Sequence, residues 1–320
     1  MRRTYQAFTL LLVILFMSMT LSSALARQDA VNPFADLGLP EIAVTITDTA
    51  IEGAPAETPA GRYVLAVTSE TTSDDPATAA SGVGFLQPPD GMSATDFMAF
   101  IAGMAGEAPA DADMAASPDA SPMADEAMMG PPPWYYEVPL AGGAYAETGE
   151  TVYTVLDLTA GEWVLWAEDP MAPQAPVAVT VTGEAPADQP TPTATSTISM
   201  AEMAFSIDQP LQAGSQIIAL TNAGVQPHFL GVSGVPTGTT VEDVLQLSET
   251  YMNPEATPPA GLSFADLTPI YDSADLSAGM TNWFSVDLAP GDYLLVCFVP
   301  DQETGIPHAM LGMIDIVTVD

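Results

Sequence analysis

The stretch from Leu288 to Pro300 reads Leu-Ala-Pro-Gly-Asp-Tyr-Leu-Leu-Val-Cys-Phe-Val-Pro. A Pro-Gly-Asp turn precedes an apolar run, and a second proline closes it. This pattern predicts a buried strand from Tyr293 to Phe298 that is entered through a tight turn. Apolar and β-branched runs of the same kind, bounded by Gly, Pro and Asp, recur along the chain. They predict an all-β protein.

The same pattern occurs once more in the first half of the chain. Residues Leu158–Pro170 read Leu-Thr-Ala-Gly-Glu-Trp-Val-Leu-Trp-Ala-Glu-Asp-Pro and run parallel to the stretch above. Upstream, Ala60–Thr68 parallels Ala213–Thr221 in the same way. The sequence therefore predicts two tandem Greek-key β-sandwich domains, each a copy of one fold. In this pairing Ala167 occupies the place of Cys297.

Each copy also has one predicted short helix. Thr239–Glu242 has the spacing of a capping box, and Ser93–Asp96 begins a similar stretch. Apolar residues follow both at helical spacing, so we expect one amphipathic helix in each half.

The N-terminus has the three parts of a secretory signal. Arg2 and Arg3 are followed by an apolar run from Ala7 to Met19, and Ala24–Ala26 supplies a small-x-small cleavage pattern. The run is short for a membrane span. We therefore predict that residues 1–26 are a cleaved signal peptide and that the protein is secreted or extracytoplasmic. An uncleaved N-terminal anchor is the alternative.

Composition divides the remainder of the chain. We predict a first sandwich domain at residues 38–183, with a low-complexity insertion near 106–133 that is rich in Ala, Pro, Asp and Met. A Pro/Thr-rich linker is predicted at 184–196, and the second sandwich domain at 197–320. The insertion and the linker bury too little apolar surface to offset chain entropy, so both are expected to be mobile.

The charge balance excludes two classes of partner. The chain has 41 Asp and Glu residues against four Lys and Arg, and its formal net charge is −37. Such a surface repels nucleic acid and anionic membrane surfaces. Any protein partner must dock through basic or neutral patches.

Cysteine and histidine are scarce and fall in one half. Cys297 is the single cysteine, so no internal disulfide is possible, and His228 and His308 are the two histidines. An unpaired thiol in an oxidising compartment is a liability unless it is buried or bound to a metal. Because the first copy has no histidine, we expect it to bind no metal.

The order of these residues points to a metal centre. His228, Cys297, His308 and Met313 together supply two imidazoles, one thiolate and one thioether, which is the donor set of a type 1 copper site. The last three flank a loop between two predicted strands, which can bring them around one point. Met310 is a competing axial candidate.

Three segments carry a resemblance to a known family. Asn222–His228, Pro290–Cys297 and Gly312–Met313 are similar to the ligand-bearing segments of the cupredoxins, the plastocyanin-like proteins in particular. The resemblance covers roughly residues 198 to 320. It implies a cupredoxin-like fold, one copper ion, one-electron transfer and an extracytoplasmic redox protein or copper donor as partner.

The sequence departs from the family pattern in two places. The gap from Cys297 to His308 is longer than in the small electron carriers, and a longer loop can raise solvent access and loosen the site. Phe229 follows His228 where many family members have Asn.

Two other functions compete with electron transfer. One is an extracytoplasmic copper carrier or buffer that delivers metal without shuttling electrons. The other is a metal-free structural or interaction module, in which the cysteine is an ordinary core residue. Catalysis needs an open coordination position or further copper ligands. Because both histidines are used in one site, we expect that the protein is not an enzyme.

Overall fold

The computed structural model describes the chain in five stretches: residues 31–72, 80–104, 131–168, 174–253 and 255–320. The predicted signal peptide, residues 1–26, and all but the last three residues of the predicted insertion lie outside the described residues. Within the described stretches, no helix is long and apolar enough to cross a membrane.

In the described stretches, each half consists of strands and one α-helix. The first half contains β1 (Glu41–Ile46), β2 (Ile51–Glu52), β3 (Glu57–Pro59), β4 (Gly61–Ser69), β5 (Ala80–Leu86), α1 (Ala94–Met104), β6 (Leu140–Glu147), β7 (Thr151–Leu158), β8 (Gly161–Ala167) and β9 (Val177–Thr182). The second half contains β10 (Ser196–Ala201), β11 (Ala204–Ile207), β12 (Gly214–Asn222), β13 (Gly231–Val235), α2 (Val241–Met252), β14 (Thr268–Asp272), β15 (Thr281–Leu288), β16 (Gly291–Val296) and β17 (Ile314–Val319). Short 3₁₀ turns lie at Ala35–Leu37, Pro133–Tyr136, Phe264–Asp266 and His308–Leu311.

One sheet runs through both halves. Its eight strands lie in the order β11-β10-β12-β15-β7-β4-β1-β2. A five-stranded sheet, β3-β9-β8-β5-β6, belongs to the first half, and a four-stranded sheet, β14-β13-β16-β17, to the second. The halves join where β15 pairs with β7, with Trp283 opposite Val155 and Phe284 opposite Thr154. The two sandwiches therefore share one continuous layer.

Strand pairing confirms the predicted internal repeat. In the first half β1 pairs parallel with β4, and β4 pairs antiparallel with β7. In the second half β10 pairs parallel with β12, and β12 pairs antiparallel with β15. The opposite sheets match as well, since β5-β8-β9 repeats as β13-β16-β17. The protein is all-β, with two tandem cupredoxin-like sandwiches, and the described residues of each include one α-helix.

Burial explains why the quoted stretch forms a strand. Leu294 and Leu295 are both fully buried, and Cys297 is buried directly after the end of β16. Burying a leucine side chain contributes roughly 1.5–3 kcal/mol. In the first half Trp163, which corresponds to Tyr293 of the quoted stretch, is fully buried and packs edge-to-face on Phe85, with ring centres 6.5 Å apart.

The start of α2 differs by one residue from the predicted capping box. The N-cap is Thr240, whose side chain accepts the N–H of Asp243 while the Asp243 carboxylate accepts the N–H of Thr240. Thr239 instead donates its hydroxyl to the carbonyl of Pro236, 2.7 Å away, so it belongs to the preceding turn.

The linker lies against the first half. Arg62 donates two hydrogen bonds of 2.8 Å to the Asp157 carboxylate and one of 3.3 Å to the carbonyl of Pro190. The side-chain oxygen of Gln189 accepts the backbone N–H of Arg62 at 2.7 Å. The guanidinium carbon also stands 4.5 Å from the ring centre of Trp283 in the second half. Residues 189 and 190 are thus held by hydrogen bonds, in contrast to the predicted mobility of the linker.

Arg62 therefore joins the two halves and the linker, and its removal has a measurable cost. Hydrogen bonds to charged groups contribute about 1.5–3 kcal/mol and a cation–π contact about 0.5–1 kcal/mol. Because the Asp157 side chain is 50% exposed, we expect Arg62→Ala to lower the free energy of unfolding by about 2 kcal/mol. Urea unfolding checks this. Arg62→Lys should restore only part of the loss, since lysine lacks the planar fork. Unchanged stability in Arg62→Ala would contradict the assignment.

Carboxylates meet at the contact between the halves. The hydroxyl of Tyr135 donates to Asp275 at 2.5 Å, and the indole N–H of Trp166 donates to Glu168 at 3.0 Å. Burial raises the pKa of Asp275 to about 6. Burial, and then the charge of Asp275, raise the pKa of Glu168 well above its usual value. Both halves thus place acidic side chains at one poorly solvated contact.

Candidate metal centre

His228 is held by backbone pairing just before β13. The backbone N–H of His228 donates to the carbonyl of Leu276 at 3.1 Å, and the backbone N–H of Leu276 donates to the His228 carbonyl at 2.8 Å. Leu276 also pairs with Ala141 of β6 in the first half. This double anchorage fixes the backbone from which the imidazole projects.

The other three predicted ligands lie between β16 and β17. The N–H of Ala309 donates to the Cys297 carbonyl at 2.7 Å, and the N–H of His308 donates to the Val299 carbonyl at 2.9 Å. The backbone of Met313 is bonded to both other residues: its N–H donates to the carbonyl of His308, and its carbonyl accepts the N–H of Cys297. The three backbones are therefore fixed relative to one another.

The long loop between Cys297 and His308 is folded back on itself. The N–H of Asp301 donates to the carbonyl of Ile306 at 2.8 Å. The side chain of Gln226 then ties this loop to the His228 segment: its amide N–H₂ donates to Asp301 at 2.9 Å, and its oxygen accepts the N–H of Gln302 at 2.8 Å. The extra length is thus absorbed by internal hydrogen bonds, and His308 is 0% exposed.

Three of the predicted ligands form a compact triangle. The Nδ1 atoms of His228 and His308 are 3.0 Å apart, and the Cys297 Sγ lies 3.9 Å from the first and 3.7 Å from the second. All three residues are 0% exposed. The centre of such a triangle is about 2.1 Å from each corner, close to the bond lengths that metal ions make with imidazole nitrogen and thiolate sulfur. The donor set therefore fits one metal ion of the copper class.

The protonation states of the donors suit metal binding. Burial lowers the pKa of His228, and burial together with the nearby His228 lowers the pKa of His308 to about 4. Both imidazoles are neutral at pH 7 and can offer a lone pair. Burial raises the pKa of the Cys297 thiol to about 12. A metal ion must therefore displace the thiol proton when it binds.

Met313 is buried and Met310 is not. Met313 is 0% exposed and belongs to the core of the second half, whereas Met310 is partly exposed on the 3₁₀ turn. Gly312 precedes Met313 with φ of +118°, a left-handed conformation that glycine adopts without strain. The backbone hydrogen bonds of Met313 to Cys297 and His308 favour it over Met310 as axial ligand. The assignment of the sulfur as a ligand stays a prediction.

Glu202 is a neighbour of the site that sequence reasoning missed. Its Oε1 lies 3.3 Å from the Nε2 of His228, although not in hydrogen-bonding geometry. The same oxygen accepts the backbone N–H groups of Val225 and Gln226 at 2.6 and 2.8 Å. Burial acts to raise the pKa of Glu202, but these backbone donors outweigh it and hold the pKa below its usual value. The carboxylate is therefore ionised at pH 7.

The first half contacts the site, and its described residues are not part of the donor cluster. Among the described residues, the group of His, Cys, Asp and Glu close enough to hold a metal is His228, Cys297 and His308. At the position equivalent to Cys297, Ala167 pairs with Val83 in the five-stranded sheet. The first half reaches the loop between Cys297 and His308, because the Tyr136 hydroxyl donates to the carbonyl of Pro300 at 2.7 Å.

The strand order and the buried His–Cys–His cluster define a two-domain, cupredoxin-like protein with a site suited to copper. Solved structures of copper proteins are similar to it. An auracyanin from the photosynthetic bacterium Roseiflexus castenholzii is 20% identical, over 39% of this chain and 94% of that chain, with a TM-score of 0.26. Auracyanin A from Chloroflexus aurantiacus, described as a "blue" copper protein, is 23% identical over 39% of this chain and 98% of that chain, with a TM-score of 0.24.

Longer proteins match across both halves. A blue copper oxidase from Nitrosomonas europaea is 13% identical over 88% of this chain and 86% of that chain, with a TM-score of 0.23. At these identities the likeness concerns the fold alone. No family model matches the sequence, and no curated protein matches it.

Proposed function

We propose that this chain is an extracytoplasmic electron-transfer protein that holds one copper ion in a type 1 site. His228, Cys297 and His308 would bind the ion, with Met313 as axial ligand. The observation that carries the proposal is the buried triangle, with edges of 3.0, 3.7 and 3.9 Å between two imidazole nitrogens and one sulfur. A bound copper ion would supply the one-electron chemistry.

The residues around the triangle hold its three donors in place. Backbone hydrogen bonds fix Cys297 against Ala309 and Met313, and Gln226 closes the loop over His308. A donor set that is held in place changes little between the two oxidation states. Burial keeps water away from the donors, which favours a low coordination number and opposes catalysis at an open position.

Burial also favours electron transfer over a copper carrier. A carrier must exchange its ligands with those of a partner, so its donors have to become accessible. Here the three donors are 0% exposed and the loop above them is tied by Gln226. Electron transfer needs no such opening, because the electron can leave through the surrounding protein.

Exposed apolar side chains lie next to the ligand segments and suit a protein partner. Val225, Ile306 and Leu311 are 79%, 42% and 38% exposed, and each lies within three residues of a predicted histidine ligand. A redox protein with a neutral or apolar contact surface and a basic rim fits this arrangement, because the rest of the chain is strongly acidic. Partner binding should therefore weaken as salt rises.

The first test is an optical titration of the purified protein with Cu(II). We expect an intense visible band that saturates at one equivalent and bleaches with ascorbate, because a thiolate–Cu(II) bond is required for that colour. Copper should also raise the melting temperature, since a ligand of the folded state stabilises that state.

The outcomes separate the three candidate functions. An intense, reversible band supports electron transfer. Tight copper binding without the band, with transfer of copper to an added chelator within seconds, would instead support the copper-carrier function. If no band forms and the melting temperature is unchanged by copper, the metal-free interaction module is the remaining candidate function.

A further inference from the structure

The outer nitrogen of His228 is buried and lacks a hydrogen-bond partner in the described part of the chain. Its inner nitrogen, Nδ1, faces the thiol and the second imidazole. If Nδ1 binds a metal, the ring proton must sit on Nε2, and a buried N–H group needs an acceptor. The oxygen that stands next to it is Glu202 Oε1, at 3.3 Å.

The Glu202 carboxylate is fixed independently of the histidine. It lies in the turn between β10 and β11 and accepts the N–H groups of Val225 and Gln226, two and three residues before His228. Its side chain is 28% exposed, whereas that of His228 is 0% exposed. A preformed acceptor is thus held at the outer edge of an imidazole whose inner edge faces the metal site.

We propose that Glu202 is a positioning residue of the copper site. Once a metal occupies Nδ1, the Glu202 carboxylate accepts the proton that His228 then carries on Nε2, and it places a negative charge behind the ligand that favours Cu(II) over Cu(I). Residues that orient metal-bound histidines in this way affect metal affinity by roughly 10- to 100-fold. The inference rests on the proposed function, because it concerns the same site.

The second imidazole provides an internal contrast. The outer nitrogen of His308 is also buried and unpartnered among the described residues, yet no carboxylate oxygen lies within 4 Å of it there. The two histidines are therefore not equivalent, and only His228 has a charged acceptor at hand. An effect of Glu202 on copper should act through one ligand.

The test compares Glu202→Gln with Glu303→Gln. Glutamine keeps an oxygen that can accept the N–H groups of Val225 and Gln226, so Glu202→Gln removes the charge and leaves the turn intact. Glu303 is exposed on the Cys297–His308 loop, and its substitution removes the same charge away from the imidazole. We expect Glu202→Gln to weaken Cu(II) affinity about tenfold and Cu(I) affinity little. That difference corresponds to a rise in reduction potential of about 59 mV.

The potential and the Cu(II) spectrum are readouts that a merely structural role would not move. The melting temperature of both metal-free variants shows whether they fold. Equal copper affinities and potentials in Glu202→Gln, Glu303→Gln and the unaltered protein would overturn the inference while leaving the proposed function standing. An unaltered protein that forms no copper band would remove the proposed function itself.

Discussion

Cys297→Ser should abolish the intense visible band of the copper-loaded protein. Serine is nearly the same size as cysteine, but its hydroxyl cannot form the soft, anionic sulfur bond on which that colour depends. The residue is fully buried after the end of β16. Its replacement therefore buries a hydroxyl at a cost of about 1–3 kcal/mol, so the fold should survive. Optical spectra with one equivalent of Cu(II), and circular dichroism for the fold, measure the two effects.

The internal repeat supplies a matched control. Ala167 stands where Cys297 stands in the other copy, and the first half has no histidine. Adding Ala167→Cys to Cys297→Ser restores one thiol to the protein at the equivalent position, and we expect no band to return. Retained colour in Cys297→Ser alone would refute the thiolate assignment. Colour regained with Ala167→Cys would show that a thiol without the two imidazoles is enough.

The proximity of His228, Cys297 and His308 could be predicted because these residue types are rare in the chain and occur in a telling order. With one cysteine and two histidines in 320 residues, few pairings compete, and a strand followed by a loop returns Cys297 and His308 to one place. The repeat was also visible, since the Gly-Asp-Tyr and Gly-Glu-Trp turns that open β16 and β8 are alike in sequence. Rare residues and repeated turns are local signals.

What sequence could not give depends on contacts between distant segments. Strands β11 and β12 lie between Glu202 and His228 in the chain, and nothing in the residues around Glu202 marks it as a neighbour of the site. The pairing of β15 with β7 merges two sandwiches into one sheet, yet it involves only Trp283 and Phe284 opposite Val155 and Thr154. Arg62 likewise holds residues of the linker, which composition alone predicts to be mobile.

Asp272 gives the contact between the halves an unusual pH dependence. It lies at the end of β14, where burial, and then the charge of Glu147 from the first half, raise its pKa to about 7. In the unfolded chain an aspartate has a pKa of about 3.9. The folded protein therefore binds more protons than the unfolded chain between about pH 4 and pH 7, and linkage makes stability fall as pH rises through that window. Asp275, with a pKa of about 6, acts in the same direction.

Asp272→Asn should therefore stabilise the protein at pH 8. A shift of about three pKa units corresponds to about 4 kcal/mol. Because Asp272 keeps part of its surface accessible, we expect a gain of about 2–4 kcal/mol at pH 8. Little difference should remain at pH 4, where most Asp272 in the folded protein is already protonated. Urea unfolding of the metal-free protein at both pH values measures this.

Asp287→Asn controls for the large net charge. Asp287 is exposed on β15, so its substitution removes one negative charge from the same half without relieving burial. Relief of general repulsion alone would stabilise both variants equally at pH 8. A gain confined to Asp272→Asn locates the cost at the buried carboxylate of Asp272, whose pKa is raised first by burial and second by the charge of Glu147. Equal gains, or a loss of stability in Asp272→Asn at pH 8, would show that the carboxylate of Asp272 is adequately solvated or paired in the folded protein.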